Sequence, residues 1–227
     1  MLDAKKYYPG FGSTIAISTD EIQDAAVTTA KMAAVASDVS AIAFTRNEVV
    51  TQSWTAAQAA TSATDGVHSV AITGSDGIVT VTTGFTALPC ARNLTATCTA
   101  GTAGHVKAVQ IAVTGTDASG ATLTESLPAF TVDTPGTVTG VKAFKTVTQI
   151  VIPAHDGDSV STKLGFGEKL GLAKKATVDF LALQTSLNGV AEATPATFAT
   201  STSVLASNTV DLNSSLNGTP VRATFVI

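Results

Sequence analysis

The feature that most limits this chain is a run of short alternating segments set between closely spaced turn signals. From Val67 onward, segments such as 68–73, 78–83, 106–114 and 121–127 alternate in hydropathy and are bounded by Gly, Asp or Asn pairs. Side chains on a strand point to opposite faces with a period of two, so each segment has one face to bury. Segments this short gain little from helical hydrogen bonding and are stabilised by pairing with one another. The 38 threonines among 227 residues reinforce this, since a β-branched side chain suits a pleated surface better than a helix. Roughly eight to twelve strands at this spacing predict an all-β fold, a β-sandwich or jelly-roll-like domain over residues 67–227.

The turn chemistry specifies connections. Gly74-Ser75-Asp76-Gly77 is expected to close a hairpin between 68–73 and 78–83, and residues 115–120 another between 106–114 and 121–127. Further strands are expected at 130–133, 136–144 and 149–153, with Asp156-Gly157 as a turn and Gly165 and Gly167 in a Gly-rich loop. Asn188-Gly189 and Asn217-Gly218 both carry the type I′ signature, joining 177–187 to 190–198 and 207–216 to 219–227.

Residues 1–66 read as an N-terminal arm and stem for docking and oligomerisation. The arm, 1–12, places Tyr7, Tyr8 and Phe11 among glycines, with the rings as anchors for a partner surface. Ser18 and Glu21 have capping-box spacing, and Ile22, Ala25, Ala26, Met32, Ala33 and Ala36 follow near helical spacing. A short helix over about 20–36 or an extended stem segment fits this pattern. Residues 39–45 and 48–54 read as two strands about Arg46-Asn47, and Asp65-Gly66 as a turn. The candidate assembly contacts are Tyr7, Tyr8, Phe11, Ile22 and Trp54.

Charge narrows the function classes. Charged residues make up 13% of the chain, about half the usual share, and the net charge is −4. Scattered Lys and Arg give no basic face for nucleic acid. No apolar run of membrane-spanning length occurs, and Lys5 and Lys6 precede no apolar stretch of the secretory kind, so synthesis and assembly in a cytoplasm are expected. In that compartment Cys90 and Cys98 read as small buried thiols, with a hairpin disulfide as the alternative. The sequons at Asn93, Asn213 and Asn217 then carry no weight.

Sites of chemistry are sparse. His68 and His105 stand apart from any acid–thiol or acid–hydroxyl constellation. His155-Asp156-Gly157-Asp158 is the one compact group of ligand types, yet two carboxylates are few for a calcium loop and Asp-Gly is ordinary turn chemistry, so no metal site is assigned. Gly165-Phe166-Gly167-Glu168-Lys169 lacks P-loop spacing. Lys142, Lys145, Lys163, Lys169, Lys174 and Lys175 read as edge-protecting lysines, with contact to an acidic partner surface as the alternative. No catalytic residue and no cofactor is expected.

Two stretches carry a resemblance. Residues 20–33, Asp20-Glu21-Ile22-Gln23-Asp24-Ala25-Ala26-Val27-Thr28-Thr29-Ala30-Lys31-Met32-Ala33, resemble segments common in tailed-phage fibres and head fibres. Residues 107–174 are similar to a group of tailed-phage virion structural proteins. The features that carry this are 113–117, Thr124-Glu125-Ser126-Leu127-Pro128-Ala129-Phe130, Gly140-Val141-Lys142-Ala143-Phe144-Lys145 and Lys169-Leu170-Gly171-Leu172. The resemblance implies a β-rich, non-enzymatic, oligomeric particle component, a homotrimer by its fibre-like segment. The chain is short for a fibre with a long shaft, which favours a capsid decoration or head-fibre subunit bound to the major capsid protein. The rivals are a tail, collar or baseplate component and a glycan-binding fibre head.

Overall fold

The computed structural model describes residues 48–73, 77–157 and 159–227, without the side chains of 70–73. Residues 47–227 form one compact unit, an all-β, sandwich-like domain. Tyr7, Tyr8, Phe11, Ile22, the segment at 20–36 and the strand expected at 39–45 lie outside the described residues.

Three antiparallel sheets make up the body. The first contains β1 (Val49–Trp54), β14 (Val221–Val226), β10 (Leu181–Leu187) and β11 (Val190–Ala191), in that order. The second is ordered β12 (Thr197–Ala199), β13 (Thr209–Asp211), β9 (Val160–Gly171), β4 (Arg92–Ala100) and β7 (Gly136–Phe144). Its remaining strand, β2 (Ala63–Thr73), also pairs with β9. The third is ordered β3 (Val79–Val81), β8 (Thr146–Ile152), β5 (Ala112–Thr116) and β6 (Thr122–Ser126).

Two cores hold the sheets together. In one, Leu94, Ala96, Cys98, Leu164 and Phe166 of the second sheet meet Val113, Leu123, Ile150 and Ile152 of the third. In the other, Leu170 and Val210 meet Trp54, Val221, Ala223 and Phe225 of the first sheet, where Phe180, Phe198 and Phe225 pack with tilted rings. A fully buried Val, Leu or Phe side chain contributes about 1.5–3 kcal/mol, so both clusters matter to stability.

Several connections differ from expectation. β2 and β3 do not pair with each other: β2 lies in the second sheet and β3 in the third, so the expected hairpin between them does not form. Asp65-Gly66 is not a chain-reversing turn. It sits inside β2 at a register shift, where a Cβ on Gly66 would lie 2.5 Å from the Phe166 ring. Residues 49–66, expected in the stem, include β1 and the start of β2, so the boundary drawn at 66 falls within a strand. Phe130 is buried but 130–133 is irregular. The Gly-rich stretch 164–167 belongs to the central strand β9, because a Cβ on Gly165 would lie 1.9 Å from the Ala63 carbonyl oxygen.

Two expected hairpins form in shortened versions: 106–111 is irregular so that the first begins at Ala112, and the second keeps only Val190–Ala191 of the strand expected over 190–198. β5 and β6 pair with Thr116 opposite Thr122, closed by Asp117, whose carboxylate accepts from Ser119 N and Oγ and from Ala121 N. β10 and β11 pair with Leu187 opposite Val190, and both turn residues, Asn188 and Gly189, have positive φ (52° and 77°), as a type I′ turn requires. Asn217-Gly218 looks the same in sequence but joins no pair. Leu216 enters the second core and Asn217 Oδ1 accepts from Thr219 N and Oγ1, while β14 pairs with β1 and β10.

Candidate functional site

The most constructed polar feature lies where β4 crosses two bulges. Between Arg92 and Leu94 the partner strand β9 sets three residues, 167–169, against one, and between Asn93 and Thr95 the partner β7 likewise sets 140–142 against one, two extra residues in each case. A bulge leaves ladder groups without their partners. Three buried side chains replace them. Arg92 donates from Nε (2.9 Å) and Nη2 to Gly167 O, and from Nη1 to Gln58 O (3.3 Å) and Ala60 O (3.0 Å). Asn93 donates to Gly140 O (3.1 Å) and accepts from Lys169 N (2.9 Å). Glu125, from β6, accepts from Val141 N (2.8 Å) and Lys142 N (3.2 Å).

The Arg92 guanidinium is buried, lies 4.9 Å from the Phe166 ring centroid, and pairs with no carboxylate among the described residues. Burial lowers its pKa, opposed by Cys90 and Glu168, yet an arginine remains charged under such shifts. The carbonyls therefore solvate a buried cation and tie β4 to β9 and to the β1–β2 connection.

Above this stitch the second sheet carries a cleft of about 430 Å³ lined by Ser62, Thr64, Asn93, Thr95, Thr137, Thr139, Glu168, Lys169 and Asp211. Ala63, Phe166 and Gly167 also line it, so its wall mixes apolar surface with hydroxyls, one amide, two acids and one lysine, and no imidazole or thiol lines it. A second cleft, about 500 Å³, lies on the first sheet among Ser53, Gln184, Ser186, Pro220, Arg222 and Thr224.

The histidines are structural in their surroundings. His68 donates from Nδ1 to Gly84 O (3.0 Å) and packs on Phe85. His155, 2% exposed, accepts at Nδ1 from Lys107 N (3.1 Å). Burial, then the Lys107 ammonium, pull its pKa below the ordinary 6.5, with Asp156 opposing. His105 Nδ1 lies 3.2 Å from Ser159 Oγ, an exposed pair with no carboxylate orienting the ring among the described residues. Asp156 pairs with Lys107. Among the described residues no three metal-ligating side chains converge.

Cys90 belongs to the second core and Cys98 to the first, both as free thiols whose pKa burial raises. They do not flank a turn, as a hairpin disulfide requires. Eight extended residues span roughly 26 Å, far beyond bridging distance.

Trp54, expected among the contact residues, is 4% exposed and packs in the second core, because β1 turns its even-numbered residues inward. It is a core residue and not an exposed anchor.

The outer faces of the sheets are what the molecule shows to a partner. Threonines pair across them: Thr51 with Thr224 (3.2 Å), Thr97 with Thr137 (2.8 Å), Thr114 with Thr124 (3.3 Å) and Thr116 with Thr146 (2.7 Å). On the third sheet the outward rows, read from register, are Thr80, Val151, Ala112 and Ser126, then Gln149, Thr114 and Thr124, then Thr146, Thr116 and Thr122. No charged side chain stands in them. The composition held this signal, since Thr excess with few charges means neutral outward rows, but it could not say on which sheet. No family model, no curated protein and no solved structure matches this chain.

Proposed function

We propose that this chain is a structural subunit of a tailed-phage particle, of the capsid decoration or head-fibre type. It docks on the head through neutral sheet surface and associates with copies of itself, and it performs no catalysis. The observation that carries this reading is the uncharged outer face of the third sheet. Desolvating a polar group costs free energy unless its hydrogen bonds are kept. Here paired threonine hydroxyls satisfy one another, so a partner can cover their methyls without stranding buried charges. The resemblance of residues 20–33 and 107–174 to virion proteins supports the same reading.

The major capsid protein is the proposed partner, with residues 1–12 as a further contact and the virion, assembled in the host cytoplasm, as the location. A double variant, Thr116→Glu with Thr124→Glu, places two carboxylates on the third sheet's exposed face. Loading onto particles that lack the protein should fall at least about tenfold while the melting temperature changes little. Unchanged loading would contradict the assignment of this face.

A further inference from the structure

The tetrapeptide Ser-Leu-Asn-Gly occurs twice, at 186–189 and at 215–218, and the fold sets the two copies in opposite circumstances. An asparagine before glycine is chemically labile, because glycine has no Cβ to keep the next backbone nitrogen from the side-chain carbonyl carbon. Closing a ring between those two atoms requires the turn to open, so the rate follows the local stability of the turn. Around Asn217 that stability is high. Gly218 N, the nitrogen that would attack, donates to Ala59 O (3.0 Å). Asn217 Oδ1 accepts from Thr219 N (3.2 Å) and Thr219 Oγ1 (2.6 Å), which fixes the side-chain amide toward residue 219. Leu216 on one side is buried in the second core, and on the other Val221 opens β14, which is paired on both edges. Opening this turn means disrupting that core.

Asn188 stands exposed at the tip of the β10–β11 hairpin, with a positive φ of 52°. Asn188 N donates to Pro220 O (2.8 Å), but that bond holds neither of the atoms that react. Among the described residues, neither the Asn188 side chain nor Gly189 N makes a hydrogen bond. β11 ends the order of the first sheet and is only two residues long, with two register pairs against β10. Its Val190 is 70% exposed, so almost no burial is lost when the tip frays. This turn therefore opens locally while the body stays folded.

We infer that Asn188 is a self-modification site of the folded protein, converting to aspartate and isoaspartate through a cyclic imide, while the identical sequence at Asn217 is protected. Gly189 N gives up its proton to solvent hydroxide and attacks Asn188 Cγ. The N–Cγ bond forms, the Cγ–Nδ2 bond breaks, and Nδ2 leaves as ammonia after taking a proton from water. Water then reopens the imide at either of its carbonyls, so that asparagine and water have become an acid and ammonia. Hydrolysis at Cγ yields aspartate, and hydrolysis at the main-chain carbonyl yields isoaspartate, with the chain rerouted through Cγ. Either product puts a carboxylate on the exposed tip. Isoaspartate also adds a main-chain methylene that a two-residue type I′ turn does not accommodate, which loosens β11 from β10. The reaction needs no partner and proceeds whatever particle the chain serves.

The test incubates the full chain in mildly alkaline buffer well below its melting temperature, with a parallel sample unfolded in guanidinium chloride. Peptide mapping by mass spectrometry follows the Asn-to-Asp mass gain at each site over time, and isoelectric focusing follows the acidic species that accumulates. In the native chain Asn188 should react at least about tenfold faster than Asn217, because an edge turn opens far more often than a core does. In guanidinium the two rates should agree within about twofold, since local opening no longer distinguishes identical tetrapeptides. Asn188→Gln, at the same exposed tip, should remove the acidic species that forms first. An Asn188 that stays intact in the native chain, or native rates equal at the two sites, would overturn the inference. A difference that persists in guanidinium would also overturn it, because the fold would then not be its cause.

Discussion

Replacing Asn93 with Ala tests whether the polar stitch holds the central sheet. Asn93 is fully buried, and its amide serves two backbone groups that the bulges have released, Gly140 O at 3.1 Å and Lys169 N at 2.9 Å. Each released group left without a partner costs about 1–3 kcal/mol. Removing the buried amide returns part of that, so the expected loss is about 3 kcal/mol, or roughly 6–12 °C in melting temperature for a body of this size. The assay is equilibrium urea denaturation with thermal melting as a check. Asn93→Leu separates lost hydrogen bonds from lost volume, because it fills the space and supplies neither donor nor acceptor. It should lose as much as the alanine variant. Thr97→Ala, which removes an exposed hydroxyl pair, should change stability by less than about 0.5 kcal/mol. An alanine variant within about 0.5 kcal/mol of the natural chain, or full recovery with leucine, would refute the reasoning.

Gly165→Ala should cost about 3 kcal/mol or more, because its Cβ meets the Ala63 carbonyl at 1.9 Å, and denaturation should show it far less stable than Gly120→Ala. The latter meets nothing within 4 Å and should lose about 1 kcal/mol for its positive φ of 86°. His155 is held below 6.5 by burial and Lys107, so the unfolded chain binds the extra proton first. Its stabilising contribution is therefore complete above pH 6.5 and falls as the pH drops toward its native value, a slope that melting temperatures should show flattened in His155→Gln. Cys90 and Cys98 should stay unreactive to a thiol reagent in the native protein and both react once unfolded. A melting temperature that falls with reductant would contradict free buried thiols.

Fold class was legible because period-two alternation and Thr excess act locally, and the Asn188-Gly189 turn was legible because positive φ at both central residues demands such a pair. Asn217-Gly218 misled for a tertiary reason: Leu216 is drawn into the second core and β14 finds better partners in β1 and β10. Glycines 165 and 66 read as loop or turn residues, since a close approach by a neighbouring strand or ring leaves no local trace. Arg92, Asn93 and Glu125 were also invisible as a group. Their partners are backbone atoms of bulges and, for Arg92, also of the β1–β2 connection, and a bulge changes register without a fixed sequence signature. Trp54 was misplaced because an aromatic near an expected stem looks like an anchor until its strand is seen to pack inward.

The most direct test of the particle role is to separate heads from tails of purified virions on a density gradient and quantify this chain in each by mass spectrometry. The proposed role predicts recovery with heads at tens to hundreds of copies per particle, roughly the number that repeated capsid positions supply. Recovery with tails, or absence from both fractions, would contradict it.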